Sequence, residues 1–357
     1  MRIIQLIDSL EPGGAERMAV HYANALTKYI AFSGLVVTRK EGALCSQIDT
    51  KVSYLYLKKK KIIDFKALFA LRNYVLQHNV TVVHAHSSSF FLAFLLKLTL
   101  PSLKLIWHDH YGNSEFLSKR LSGILRIILP FFNGIIAVNQ KLKDWADERL
   151  NLRNTIYLPN FPSEENTVFE QTILRGIEGK RIVCVANLRE QKDHFTLLRV
   201  AKKLKVYDAN WTFHLIGKDF GDDYSKGIRD LIVAFDLEKN VFLYGSKQDI
   251  KNILDQSTVA VLTSKSEGLP VALLEYGWHK KPIVVTNVGE IAALVQDGKN
   301  GFIVPAQNVN LFYTALLTLV ENDTLKVNFG HALYASVVEG NSENIIIKHY
   351  LNWLETI

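Results

Sequence analysis

Along these 357 residues, short β-branched or apolar runs alternate with longer segments of helical period, and the series occurs twice. That alternation is the tightest constraint on the fold. Parallel neighbours need a long crossover between them, whereas antiparallel neighbours need only a tight turn, so the pattern points to βαβ units and parallel sheets. In the first series, Arg2 to Ile7 leads into a helix expected over Ala15 to Tyr29. Val80 to His84 leads into Ser88 to Leu98, Leu103 to Trp107 into Phe116 to Leu129, and Gly134 to Val138 into Gln140 to Leu150. A last strand, Thr155 to Leu158, stops at Pro159-Asn160-Phe161-Pro162.

That proline-bounded stretch and the polar, acidic run Ser163 to Thr167 form the expected linker. A second series then starts, with strands expected at Arg181 to Ala186, Trp211 to Ile216, Val241 to Leu243, Val259 to Leu262 and Pro282 to Thr286. A chain of this length exceeds the size of one hydrophobic core, so two doubly wound α/β domains in tandem are expected.

A composition of 48% hydrophobic and 22% charged residues excludes a disordered, collagen-like or repeat-built chain. No run reaches the roughly 20 apolar residues of a membrane-spanning helix. Met1 to Ile7 is too short for a signal-peptide core and reads as a first strand. Two cysteines, Cys45 and Cys184, stand without a second Cys or a His at metal-ligand spacing, which fits a reducing cytoplasm. Charge is uneven: residues 1–162 hold 21 Lys and Arg against 11 Asp and Glu, while the rest hold 21 against 24. The basic half either faces an anionic partner, such as a lipid surface, or is simply solvated.

In open parallel sheets, ligands sit beyond the carboxyl ends of the strands, so polar residues just after strands are the ones to weigh. Gly13-Gly14 follows the first strand. It suits a backbone approaching a phosphate, and a tight strand-to-helix turn explains it equally well. His84 and His86 are expected in a capping or loop role. Trp107-His108-Asp109-His110 sets two imidazoles and a carboxylate at a strand end, where hydrogen bonding or charge stabilisation is favoured over metal binding. Asn187-Leu188-Arg189-Glu190-Gln191-Lys192 puts two cations in one loop, able to neutralise a diphosphate or to pair with Glu190 or Asp193. The most specific segment runs from Ser264 to Glu275. Its Glu267-Gly268-Leu269-Pro270 turn enters a helix that carries Glu275 among apolar neighbours, where a carboxylate calls for a partner such as a sugar hydroxyl.

These residues together resemble the retaining family 4 glycosyltransferases. The likeness covers nearly the whole chain: Gly-Gly-Ala-Glu, the strand-terminal His-Asp, Asn-Leu-Arg-x-x-Lys-Asp, Glu-Gly-x-Pro with the second Glu eight positions after the first, and the stretches Pro282 to Gly289 and Gly298 to Pro305. The resemblance implies the GT-B fold, two Rossmann-like doubly wound parallel-sheet domains facing across a cleft. It implies an acceptor-binding domain over 1–165, a donor-binding domain over 166–339, and a helix at about 340–357 that packs back on the first domain. By similarity, Glu275 would bind the nucleotide ribose and Glu267 the transferred sugar. Backbone near Gly13, Gly14 and Gly268 to Pro270 would hold sugar and diphosphate, Lys192 would offset phosphate charge, and His108 or His110 would contact the sugar. The family usually has Arg where Asn187 stands, and Arg189 is expected to supply that cation.

The activity implied is transfer from a nucleotide-diphosphate sugar, with UDP preferred, to a saccharide or polyprenyl-linked saccharide acceptor in surface polysaccharide synthesis. No cofactor is expected, the nucleotide sugar being a co-substrate, and no metal, since no Asp-x-Asp occurs. The surplus of positive charge, with Lys58 to Lys61 and the amphipathic segment Phe116 to Leu129, suggests a peripheral site on an anionic membrane face. The helix packing on its own sheet is the other reading. No nucleic-acid-binding motif appears. Two alternatives share the fold: a nucleotide-sugar 2-epimerase, and a non-catalytic partner subunit suggested by Asn187.

Overall fold

The computed structural model describes residues 1–112, 117–118, 120–150, 152, 154–163 and 172–357. Phe116 and Lys119 of the amphipathic segment, and residues 164–167 of the expected linker, lie outside the described residues. The chain forms two compact units, Met1–Ser163 with Glu343–Ile357, and Glu164–Ser342.

The first unit runs β1 (Arg2–Ser9), α1 (Gly14–Leu26), β2 (Phe32–Lys40), β3 (Ser53–Tyr56), α2 (Phe65–Gln77), β4 (Val82–His86), α3 (Phe90–Thr99), β5 (Lys104–Asp109), α4 (Gly123–Ile128), β6 (Gly134–Ala137), α5 (Gln140–Arg149) and β7 (Thr155–Tyr157). Its seven strands lie in the order β3-β2-β1-β4-β5-β6-β7, with every pair parallel. The second unit runs β8 (Arg181–Val185), α6 (His194–Tyr207), β9 (Thr212–Ile216), α7 (Asp223–Ala234), β10 (Val241–Gly245), α8 (Ile250–Asp255), β11 (Val259–Leu262), α9 (Val271–Trp278), β12 (Ile283–Thr286), α10 (Ile291–Leu294), β13 (Phe302–Val304), α11 (Val309–Glu321) and α12 (Asp323–Asn341). Its six strands are ordered β10-β9-β8-β11-β12-β13, again all parallel. Both sheets are therefore doubly wound, and the strand order reverses beside β1 and beside β8, where such sheets open a crevice at their carboxyl ends.

The final helix, α13 (Glu343–Thr356), belongs to the first unit. Lys28 of the α1 end reaches Glu343 at 3.0 Å, and Tyr350 is fully buried in edge contact with Tyr22. Strand interiors are mostly apolar on both faces, as sheets covered on both sides require, with Gln5, His84, His86, His108 and His214 among the buried polar exceptions. Each buried Leu, Ile or Val contributes about 1.5–3 kcal/mol. Side-chain caps fix several helix starts: Asp64 for α2, Asn139 for α5, Asp193 for α6 and Asp222 for α7 each accept a backbone N–H of the first turn, an arrangement stabilising by about 1 kcal/mol.

Three departures from the sequence reading matter. Strand β4 reaches His86 and β5 reaches Asp109, so His84, His86 and His108 lie within strands, not in loops or caps. Register explains it: Gln5 lies beside His84 and His86 beside His108, so polar side chains face one another instead of water. Strands β2 and β3 and helix α2 carry no strand-end signal and were not anticipated. Within Phe116 to Leu129 the α-helix among described residues is only Gly123–Ile128.

Candidate functional site

The second unit assembles its polar residues on loops that leave β8 and β11, the neighbours at the reversal of strand order. After β8 the chain makes a short 3-10 turn, Glu190–Lys192, and Asp193 takes a left-handed conformation to cap α6. After β11, Thr263 turns its hydroxyl back to donate to the carbonyls of Lys192 and Asp193, at 3.1 and 3.0 Å. The Lys265 amide donates to the Gln191 carbonyl at 2.7 Å. The two loops are thus stapled through main-chain groups before any ligand is considered.

Across that staple, Lys192 Nζ donates to Glu267 Oε1 at 2.5 Å, and Ser264 Oγ donates to the same oxygen at 2.6 Å. Glu267 is buried. Burying such a carboxylate is costly unless a cation and hydrogen bonds meet it, and here both do. Gly289, φ +59, closes the loop from behind: a Cβ there would stand 2.2 Å from the Glu267 carbonyl oxygen. The Glu290 amide donates to the Gly268 carbonyl at 3.1 Å. Leu269 and Pro270 are buried, and Pro270 precedes the first residue of α9. Glu275 follows about one and a half turns into that helix and is partly exposed. Beneath the pair, burial pushes the Cys184 thiol up to about 12, so it supplies no nucleophile at neutral pH.

The first unit answers with imidazoles. His84, His86 and His108 are buried inside the sheet and His110 follows at the strand end. His84 Nε2 meets His108 Nδ1 at 3.1 Å, and His86 Nδ1 meets His110 Nε2 at 2.9 Å. The rings stack, with centroids 4.4 Å apart for His84 and His86 and 4.0 Å for His108 and His110. Burial holds all four well below the usual histidine pKa, His110 at about 3, so each is neutral at pH 7. At the strand end, Asp109 accepts two bonds from Arg120, at 2.6 and 2.9 Å, and the guanidinium lies over the rings of Tyr111 and Trp145. Gly13 precedes α1, and a Cβ on it would fall 2.2 Å from a Glu16 carboxylate oxygen. Gly13 is in extended backbone and a Cβ on Gly14 would meet nothing within 4 Å, so neither position requires glycine for its dihedrals.

Residues 12–161 match the family described as Glycosyltransferase Family 4, and residues 165–335 match Glycosyl transferases group 1. The chain belongs to glycosyltransferase family 4. It is 24% identical to the amylovoran biosynthesis glycosyltransferase AmsD of Erwinia amylovora over 360 residues, covering 97% of this chain and 98% of that one. It is 22% identical to the UDP-Gal:alpha-D-GlcNAc-diphosphoundecaprenol alpha-1,3-galactosyltransferase of Escherichia coli over 317 residues, covering 82% and 81%. The Anabaena protein HepE, crystallised with UDP and glucose, superposes with a TM-score of 0.79 at 18% identity and full coverage of both chains. The fold of this glycosyltransferase is GT-B.

Within the glycosyltransferase, Lys192, Glu267, Gly268, Leu269 and Pro270 come together on two stapled loops. His108 lies within β5 of the first unit, His110 just beyond its end, and Gly13 and Gly14 at the start of α1. The Arg189 guanidinium lies 4.7 Å from the Phe220 ring centroid, over a ring that Lys218 also approaches, at 5.3 Å. Arg189 is exposed there, and an aromatic face is a stabilising partner for a cation. Asn187 accepts the Lys218 amide at 2.8 Å, so this residue braces the neighbouring loop. Sequence reasoning singled out the segment beginning at Ser264 but gave that hydroxyl no role beside Glu267, and it missed the contacts of Gln5 and Arg120, which carry no local signal. Lys59 is buried and Arg120 is held inside, so neither adds to a basic surface.

Proposed function

We propose that this glycosyltransferase moves a sugar from a nucleotide-diphosphate sugar, UDP-linked by preference, to a saccharide or polyprenyl-linked saccharide, with retention of anomeric configuration and without a metal. The carrying observation is the buried Glu267 carboxylate held by Lys192 and Ser264 at the carboxyl ends of β8 and β11. The UDP in the HepE crystal and the UDP-Gal and diphosphoundecaprenol substrates in the Escherichia coli relative's name support the substrate classes.

In this reading Glu267 accepts from hydroxyls of the bound sugar and Glu275 from the ribose. Lys192, already positioned by Glu267, shifts its donors to the diphosphate as charge develops there, so stabilisation grows toward the transition state. The anomeric carbon–oxygen bond breaks toward the phosphate, and the acceptor oxygen bonds to the same face. The acceptor proton passes to the released phosphate oxygen, so no separate base is required. Of His108 and His110, the less buried His110 is read as the histidine that contacts the sugar.

A membrane-facing role is part of the proposal. Leu121 is 90% exposed, and Ile124, Ile127 and Phe131 are exposed around α4. Before and along α2, Ile62, Ile63, Phe65 and Phe69 stand exposed among Lys58, Lys60, Lys61 and Lys66. Apolar side chains interspersed with lysines suit an anionic leaflet.

The test is product analysis after incubation with nucleotide sugars and acceptors in chelator. Transfer with the donor's anomeric configuration is expected. An inverted product, or turnover abolished by chelator, contradicts the mechanism, and a sugar altered without any acceptor would assign an epimerase instead. Sedimentation with phosphatidylglycerol vesicles at low salt tests the surface: protein remaining in the supernatant refutes it.

A further inference from the structure

We infer that Gln5, acting through His86, fixes which nitrogen of His110 carries the proton, leaving His110 Nδ1 as a bare acceptor for a sugar hydroxyl. The inference rests on the reading of His110 as the residue that meets the sugar.

The polarity follows link by link. Gln5 Oε1 lies 2.8 Å from His86 Nε2. A carbonyl oxygen can only accept, so that nitrogen bears the proton. His86 is buried and neutral, with His84 and His110 further disfavouring its charged form, so its Nδ1 holds a lone pair. His110 Nε2, 2.9 Å away, must then donate to it. A neutral His110 with its proton on Nε2 presents an unprotonated Nδ1, which accepts and does not donate.

At its other end the Gln5 Nε2 is buried without a hydrogen-bond partner among the described residues, as is the Tyr350 hydroxyl, so the Oε1–His86 contact is the bond that sets the relay. The neighbouring imidazole pair meets no carbonyl acceptor of this kind. His84 Nδ1 and His108 Nε2 have no hydrogen-bond partner among the described residues, so the His84–His108 bond can run in either sense. Two pairs of the same chemistry thus differ in one respect: only one ends on a group of fixed polarity. Gln5 is a positioning residue, in van der Waals reach of no reacting atom by this account and acting only through His86.

His84, His86 and His108 also offer one nitrogen each within 4.8 Å of one another, the spacing of a cation site. His86, however, spends both nitrogens on Gln5 and His110, so a bound cation would have to break the relay.

Long-range proton–nitrogen spectra of the full chain with isotope-labelled histidine, chelator-treated and without donor, decide the matter. The His86 and His110 signals are assigned by their loss in His86→Phe and His110→Ala. Both residues are expected as Nε2–H tautomers. In Gln5→Met, which keeps the volume and removes the acceptor, the His110 nitrogens should move to the averaged shifts of mixed tautomers, and the donor KM should rise about tenfold. A wild-type His110 protonated on Nδ1 overturns the inference, and so does a Gln5→Met spectrum unchanged at His110, or stoichiometric zinc uptake that shifts the His86 signals. The wild-type spectrum suffices if the variant does not fold. Because it is read without substrate, the expected tautomers with no transfer to any acceptor would sink the transferase reading and leave the relay standing.

Discussion

The two units repeat one strand order, yet they place polarity differently at equivalent positions. In the first, polar side chains sit inside the central strands: Gln5 on β1, His84 and His86 on β4, His108 on β5. In the second, β8 beyond Arg181 and β11 are apolar, β12 is apolar up to Thr286, and the polarity of the site begins in the loops, at Thr263, Ser264 and Glu267, while Thr212 and His214 on β9 are the polar residues buried within that sheet. Neutral imidazoles satisfy one another without net charge, so a sheet can enclose them. Ion pairs stand where strands give way to loops: Asp109, paired with Arg120, is the last residue of β5, and Glu267, paired with Lys192, lies in the loop after β11. The strands of the first unit therefore enclose a neutral hydrogen-bond network bordered by one buried ion pair, whereas the loops of the second unit centre on a paired charge.

The sharpest way to break that contrast is to leave a charge unpaired inside the first unit. Arg120→Ala strands the buried Asp109 carboxylate and should cost about 3–5 kcal/mol in denaturant unfolding. A loss under about 1 kcal/mol would mean the pair is solvated. Next is Lys192→Ala, expected to lower kcat by about 10²–10³-fold, the usual cost of removing a group that stabilises transition-state charge. A rise in KM with kcat unchanged would show that Lys192 binds the ground state and transition state alike.

Acid should separate the units more gently. The five buried histidines of the first unit, His21, His84, His86, His108 and His110, have folded pKa values below the unfolded value of 6.5. The unfolded chain binds their protons first, so their stabilisation is complete above pH 6.5 and falls as pH drops toward the folded values. Each contributes at most about 1.4 kcal/mol per pH unit. The second unit holds fewer such groups, chiefly His194 and His214, at about 3 and 4. Hydrogen exchange between pH 7 and about 4.5 should show protection lost first in β4 and β5; earlier loss in β8 and β11 would contradict this. The smallest effect belongs to Arg189→Ala. With its guanidinium on Phe220, stability should change by less than about 0.5 kcal/mol and kcat by under about threefold. A fall matching that of Lys192→Ala would restore Arg189 as a phosphate-facing cation.

The same contrast explains what could be read before the structure. Strand-loop-helix order was legible because apolar runs and their helical sequels are local, and Glu267 and Glu275 announce themselves as carboxylates in an apolar setting. The histidine network was not, because its pairing depends on parallel register between β1, β4 and β5, strands separated by dozens of residues. Strand β4 looked complete at His84, since polar side chains ordinarily end a buried strand. The contact of Arg189 was not legible for a related reason: spacing along a loop fixes where a backbone goes, while its long flexible side chain lies over Phe220, thirty-one positions later.

The central claim is that the second unit holds the nucleotide at Glu275 and the sugar at Glu267. Calorimetric titration of UDP and of a UDP-sugar that supports turnover tests it on wild type, Glu275→Ala and Glu267→Ala. Glu275→Ala should weaken both ligands by about tenfold or more. Glu267→Ala should leave UDP affinity near wild type and remove only the increment that the sugar adds. Unchanged UDP binding in Glu275→Ala, or equal losses for both ligands in Glu267→Ala, would contradict the account.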